Sequence, residues 1–98
     1  MNTIITTKWK GVTPEQYEKA SEAINFRGNT PKGFIFHVAA FDNNGIQVTE
    51  MWESNEDFNN FLHQRLVPAA KAAGIIGEPQ VEMLPVHTIF APALERSR

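Results

Sequence analysis

Cysteine is absent from the 98 residues, which removes a disulfide scaffold, a thiolate metal site and a cysteine nucleophile in one step. No apolar run approaches the ~18 residues that cross a bilayer, and the first eleven residues hold no apolar signal core. The sequence therefore predicts a cytoplasmic protein with no membrane attachment. Charge of one sign is scarce as well: nine Lys and Arg stand against eleven Asp and Glu, for a formal charge of −2. A chain without a basic stripe cannot neutralise a phosphate backbone, so nucleic acid is not an expected partner. A phosphate-cradling glycine loop, a G-x-S-x-G elbow and H-x-H or H-E-x-x-H spacing are missing too. Nucleotide hydrolysis, serine-esterase chemistry and a metal site are therefore not expected, and no cofactor is implied. What remains is 42% hydrophobic, enough for one packed core, and residues 1–98 are predicted to form a single domain.

Two helices are marked by their capping chemistry. Thr13 as N-cap puts Pro14 at the first helical position and Gln16 where it completes a capping box, with Val12 and Tyr17 as a hydrophobic staple. Tyr17, Ala20 and Ile24 then form a narrow apolar stripe in a helix that ends before Gly28. Ser54 caps the second helix, with Glu56 and Asp57 in its first turn. Phe58, Phe61, Leu62, Leu66, Ala69, Ala70 and Ala73 follow at helical spacing, and Gly74 closes it. Pro68 lacks the amide its turn requires, which predicts a kink or break near Val67. Strands are predicted over Thr3–Trp9, Gly33–Phe41, Ile46–Glu53 and Val81–Phe90, with Asp42-Asn43-Asn44-Gly45 joining the middle two as a hairpin. The order β-α-β-β-α-β is that of a ferredoxin-like α+β domain, with both helices on one face of a four-stranded antiparallel sheet.

Such a sheet should alternate apolar and polar residues, and here it does not. In Gly33–Phe41 one parity carries Phe34, Phe36, Val38 and Ala40, and the other Ile35, His37, Ala39 and Phe41. Val81–Phe90 has apolar residues at both parities as well. Two apolar faces and helices for only one of them predict a homodimer, sheet against sheet, closing an α/β barrel around an interior that can hold a ligand.

The strand-to-helix passage Val48-Thr49-Glu50-Met51-Trp52-Glu53-Ser54, followed by Phe58, Phe61 and Arg65-Leu66-Val67-Pro68-Ala69, resembles the dimeric α/β-barrel superfamily. Within it, the chain resembles small proteins related to the antibiotic-biosynthesis monooxygenases. Phe36-His37-Val38-Ala39 and Pro85-Val86-His87 carry the same resemblance. It implies Trp52 at the wall of a cavity between the sheets, and a small apolar or aromatic ligand. Oxidising members combine this tryptophan with an asparagine inside the first strand and often a histidine on the second helix about nine or ten residues after it. Here Asn2 precedes the strand and His63 lies eleven residues after Trp52, so both depart from that pattern.

His37 and His87 each lie within an apolar strand, where an unpartnered imidazole loses hydration at a cost of about 1–3 kcal/mol. Either is a structural histidine or a base for a phenol or enol, as cofactor-free oxygenation or isomerisation requires. Glu50 shares parity with Trp52, so a carboxylate and an indole project together. Glu50 either orients a histidine or engages Lys8 or Arg27, and Trp52 either stacks on a ligand or packs under the second helix. Candidate catalytic residues are thus His37, His87 and Glu50, and candidate ligand contacts Trp52, His37 and His87. A facial triad of His37, Glu50 and His87 is the one metal arrangement these residues allow. Three functions remain open: a cofactor-independent monooxygenase-like enzyme, a non-catalytic binding or stress-response protein, and a structural dimer whose cavity its own side chains close.

Overall fold

The computed structural model describes residues 1–95. Strand β1 (Thr3–Lys10) leads into helix α1 (Pro14–Ile24), and β2 (Phe34–Phe41) and β3 (Gly45–Trp52) form the hairpin. A helical arm follows, made of α2 (Asn55–Phe61), a π-helical turn (Leu62–Leu66) and α3 (Val67–Ala72), and then β4 (Gln80–Pro85) and a short α4 (Pro92–Glu95). The sheet is wholly antiparallel in the order β2-β3-β1-β4, which is the ferredoxin-like α+β arrangement. No helix among the described residues is long and apolar enough to cross a membrane.

Local chemistry sets the boundaries. Thr13 accepts from the Gln16 amide and the Gln16 side chain accepts from the Thr13 amide, completing the capping box. Val12 is buried and Tyr17 packs against its cluster, so the staple fixes where α1 presents its phenol. The helix stops where Asn25 adopts the left-handed conformation at φ 57°, a role asparagine fills because its side chain tolerates that region. In the hairpin, the Asp42 carboxylate accepts from the amides of Asn44 and Gly45. Gly45 is at φ 151°, and a Cβ there would meet the Trp9 carbonyl at 2.3 Å. Pro68 is accommodated without a sharp break: the preceding turn widens to π geometry and the Val67 amide reaches back to the Leu62 carbonyl. The same turn aims Arg65 at the Ile24 carbonyl, supplying a donor to the end of α1.

Two expectations are corrected. The last strand ends at Pro85 and does not run to Phe90. β1 begins at Thr3, and once the Val86 amide has taken the Asn2 carbonyl the neighbouring strand offers no further partner. The uncovered face of the sheet is also not uniformly apolar. Strand register lays it out in rows: Leu84, Ile4, Met51 and Phe36, then Glu82, Thr6, Thr49 and Val38, then Gln80, Lys8, Gln47 and Ala40. The first row is apolar across four strands and the third is largely polar, so the apolar patch occupies one end of the face. Within the first row Leu84 is 58% exposed while Met51 is buried at 6%, and Val38 of the second row is 59% exposed.

Candidate functional site

A bulge in β2 builds the site. The register passes from Phe34 opposite Trp52 to Phe36 opposite Met51, leaving Ile35 as an extra residue. Phe34 thereby joins His37 on the helix-covered face, where it stacks on Phe26 at 5.3 Å between ring centres and meets Trp52 edge-on at 5.1 Å. Simple alternation puts Phe34 and His37 on opposite faces, and the inserted residue removes that separation.

His37, Glu50 and Trp52 therefore all point toward the helices, not toward a second sheet. Within the single chain a cavity lies between this sheet and its own helices. It has a volume of about 60 Å³, and Trp9, Val12, Ala20, Ile46, Val48 and Ala70 supply much of its apolar lining, with Tyr17, His37 and Glu50 as its titratable members. Outside it, an open groove of about 740 Å³ runs past Phe26, Arg27, Phe34 and Ile35. Tyr17, Ser21, Phe26 and His37 line both spaces and form the partition between them.

The polar groups form one hydrogen-bonded chain. The Trp52 indole donates to Glu50 Oε1 at 3.0 Å, Glu50 Oε2 lies 2.6 Å from His37 Nδ1, and His37 Nε2 lies 2.7 Å from the Tyr17 hydroxyl. As a carboxylate, Glu50 only accepts, which places the imidazole proton on Nδ1 and leaves Nε2 as acceptor for the phenol. Glu50 is 4% exposed and Trp52 fully buried. Trp52 does not line the cavity: it packs among Phe34, Phe58 and Phe61 and serves the site by anchoring Glu50. No buried side-chain polar atom among the described residues lacks a partner.

His87 stands apart. It is exposed, two residues beyond the end of β4, and is not among the residues lining either space. The facial triad is not formed: among the described residues no three His, Asp or Glu side chains converge to hold a metal. His63 is exposed on the π turn. Tyr17 is the member of the chain that sequence reasoning assigned to packing alone. Its signal was a polar atom on the staple residue, since a buried phenol must find a partner.

Burial raises the Tyr17 pKa, against a lowering contribution from Ser21. Because it is the sole tyrosine, tyrosinate absorbance reads this group alone. Its midpoint is expected above the ordinary 10.0 in the folded protein and at that value in urea. The folded chain holds the proton more tightly, so the stability involved is intact below pH ~10 and lost as pH rises through the raised folded value. A folded midpoint at or below the unfolded one would contradict the partial burial of the Tyr17 phenol.

The chain matches no protein-family model and no curated protein. Solved structures share its fold. SnoaB, a cofactor-independent oxygenase from Streptomyces nogalater, is 15% identical with a TM-score of 0.63, over 90% of this chain and 94% of that one. The monooxygenase ActVA-Orf6 of Streptomyces coelicolor, in complex with nanaomycin D, is 16% identical with a TM-score of 0.57, over 92% and 91%. NE2512 from Nitrosomonas europaea, of unknown function, is 14% identical with a TM-score of 0.67, over 93% and 94%. At these identities the likeness is one of architecture: the chain has the ferredoxin-like fold found in proteins of the antibiotic-biosynthesis-monooxygenase kind.

Proposed function

We propose that this protein is a homodimeric, cofactor-independent monooxygenase-like enzyme acting on a small hydroxylated aromatic compound. The observation that carries it is the chain from buried Trp52 and Glu50 to half-buried His37, set in otherwise apolar surroundings and ending on an imidazole nitrogen that accepts. A substrate hydroxyl takes the place of the Tyr17 hydroxyl at Nε2, with its ring in the groove against Phe26 and Phe34. His37 removes the phenolic proton, and Glu50 holds the tautomer and stabilises the imidazolium. The resulting phenolate gives electrons to dioxygen and forms a carbon–oxygen bond at a ring carbon bearing hydrogen. The imidazolium returns its proton to the peroxide, which then loses water. One oxygen atom ends in the quinone carbonyl and the other in water. The oxygenase and monooxygenase among the structural neighbours support this reading by fold.

The second copy covers the apolar end of the open face, where Leu84 of the first row and Val38 of the second stand exposed. Burying such side chains yields about 1.5–3 kcal/mol each.

Dioxygen uptake with a panel of hydroxynaphthalenes tests the activity. Wild type is expected to consume oxygen, and His37→Ala to lose about 10²–10⁴-fold in turnover while still quenching Trp fluorescence on ligand binding. Uptake unaffected by His37→Ala rules the mechanism out, and a sedimenting species of 11.0 kDa rules out the dimer. One observation favours a non-catalytic, closed dimer instead: both His37 nitrogens already have partners within the chain. In that case no ligand alters the fluorescence.

A further inference from the structure

We propose that the cavity beneath the sheet is a binding site for dioxygen, separate from the groove that takes the aromatic substrate. This rests on the oxygenase reading and assigns its second reactant a place.

Size is the first argument. An engineered cavity of ~150 Å³ holds benzene, whereas a water molecule's share of liquid volume is ~30 Å³. At about 60 Å³ this cavity excludes an aromatic ring and admits a diatomic molecule. The groove, at about 740 Å³, has the opposite capacity. Two reactants of very different size thus meet two spaces of very different size.

Polarity is the second argument. Water occupies a cavity of this volume only if it finds two to four polar partners. Every buried side-chain polar atom among the described residues is already partnered. The Glu50 oxygens are taken by Trp52 and His37, and His37 by Glu50 and Tyr17. Thr7 and Ser21 add two hydroxyls to the lining, where a buried water typically takes about three polar partners, and the rest is apolar, with Val12, Ala20, Ile46 and Val48 among its members. Such a space disfavours water and suits a small apolar gas, for the same reason that a dry cavity takes up xenon.

Position is the third. His37 and Tyr17 line both spaces, so the phenolate forms against the one layer of side chains that separates it from the gas. Displacement of the Tyr17 hydroxyl by the substrate opens that layer. In the reaction already given, dioxygen enters from the cavity side, and nothing beyond substrate and dioxygen is consumed.

Crystals pressurised with xenon provide the test, with Ala20→Val and Val48→Ile as variants that fill the cavity by different amounts. Xenon is expected in wild type against Ala20 and Val48, and its occupancy is expected to fall in both variants. KM for dioxygen is expected to rise about tenfold in the more obstructed variant, with the Kd of the aromatic compound changed by less than about twofold. Absence of xenon from the wild-type cavity overturns the gas site, whatever the activity. So does a KM for dioxygen that neither variant moves. Xenon bound in a protein that consumes no dioxygen with any hydroxyarene overturns the oxygenase reading, and the assignment to dioxygen with it, so the two failures are distinct.

Discussion

Glu50→Gln is expected to leave the fold standing while lowering turnover of a hydroxylated aromatic by about 10²–10⁴-fold. Glu50 Oε1 and Oε2 each accept a hydrogen bond, one from Trp52 and one from His37 Nδ1. A glutamine keeps one acceptor oxygen and replaces the other with an NH₂ donor. If the oxygen stays with Trp52, the NH₂ group faces His37, and the ring satisfies it by moving its proton from Nδ1 to Nε2. Nε2 then donates to the Tyr17 oxygen, every group remains paired, and the protein loses little stability. The imidazole has nevertheless lost the acceptor it needs as a base. Glu50→Ala separates the two roles, because it strands both donors in a buried position. Each stranded group costs about 1–3 kcal/mol, a large share of the ~5–15 kcal/mol that holds a small domain together. Urea midpoints and oxygen uptake on both variants check this. Glu50→Gln retaining wild-type turnover would show that the tautomer does not matter and that Glu50 is structural.

Much of the fold was legible because it depends on chemistry within a few residues. Thr13, Pro14 and Gln16 set the start of α1 through contacts no more than three positions apart, and Asp42 and Gly45 make the hairpin in the same way. Pro68 announced a disturbance, although its form as a π turn depends on how the flanking segments dock. The site was only half legible. Glu50 and Trp52 share a parity that any strand imposes, and their joint projection was readable. Which face they take was not, because both parities of β2 and β4 carry apolar residues. The bulge at Ile35 moved Phe34 to the side of His37, and Gly33 just before it reads equally well as the turn that starts the strand. The end of β4 was set by the start of β1, some eighty positions away in sequence. His87 was drawn into the candidate site by its apolar neighbours, and those neighbours lie in a segment that has run out of partners.

Trp52 links the core to the chemistry, and its replacement is expected to cost the most stability. The side chain is fully buried, with Phe34, Phe58 and Phe61 around its rings. Trp52→Ala leaves a large cavity at the centre of the main cluster. It is expected to lose about 3–5 kcal/mol from packing, with a further loss because Glu50 Oε1 is left buried without its donor. That total approaches the whole stability of the domain, so Trp52→Phe is the informative variant. It keeps an aromatic ring among the three phenylalanines and removes the indole N–H, with an expected cost of about 1–3 kcal/mol from the unpaired carboxylate oxygen and the smaller void. In the Glu50→Gln background the lost partner is an amide instead of a charge, so the same substitution should cost less. A double-mutant cycle on urea midpoints measures the difference, and contacting residues of this kind couple by about 0.5–3 kcal/mol. Strict additivity would mean that the indole and the carboxylate stabilise the fold independently, and that Trp52 is a core residue with no part in holding the base.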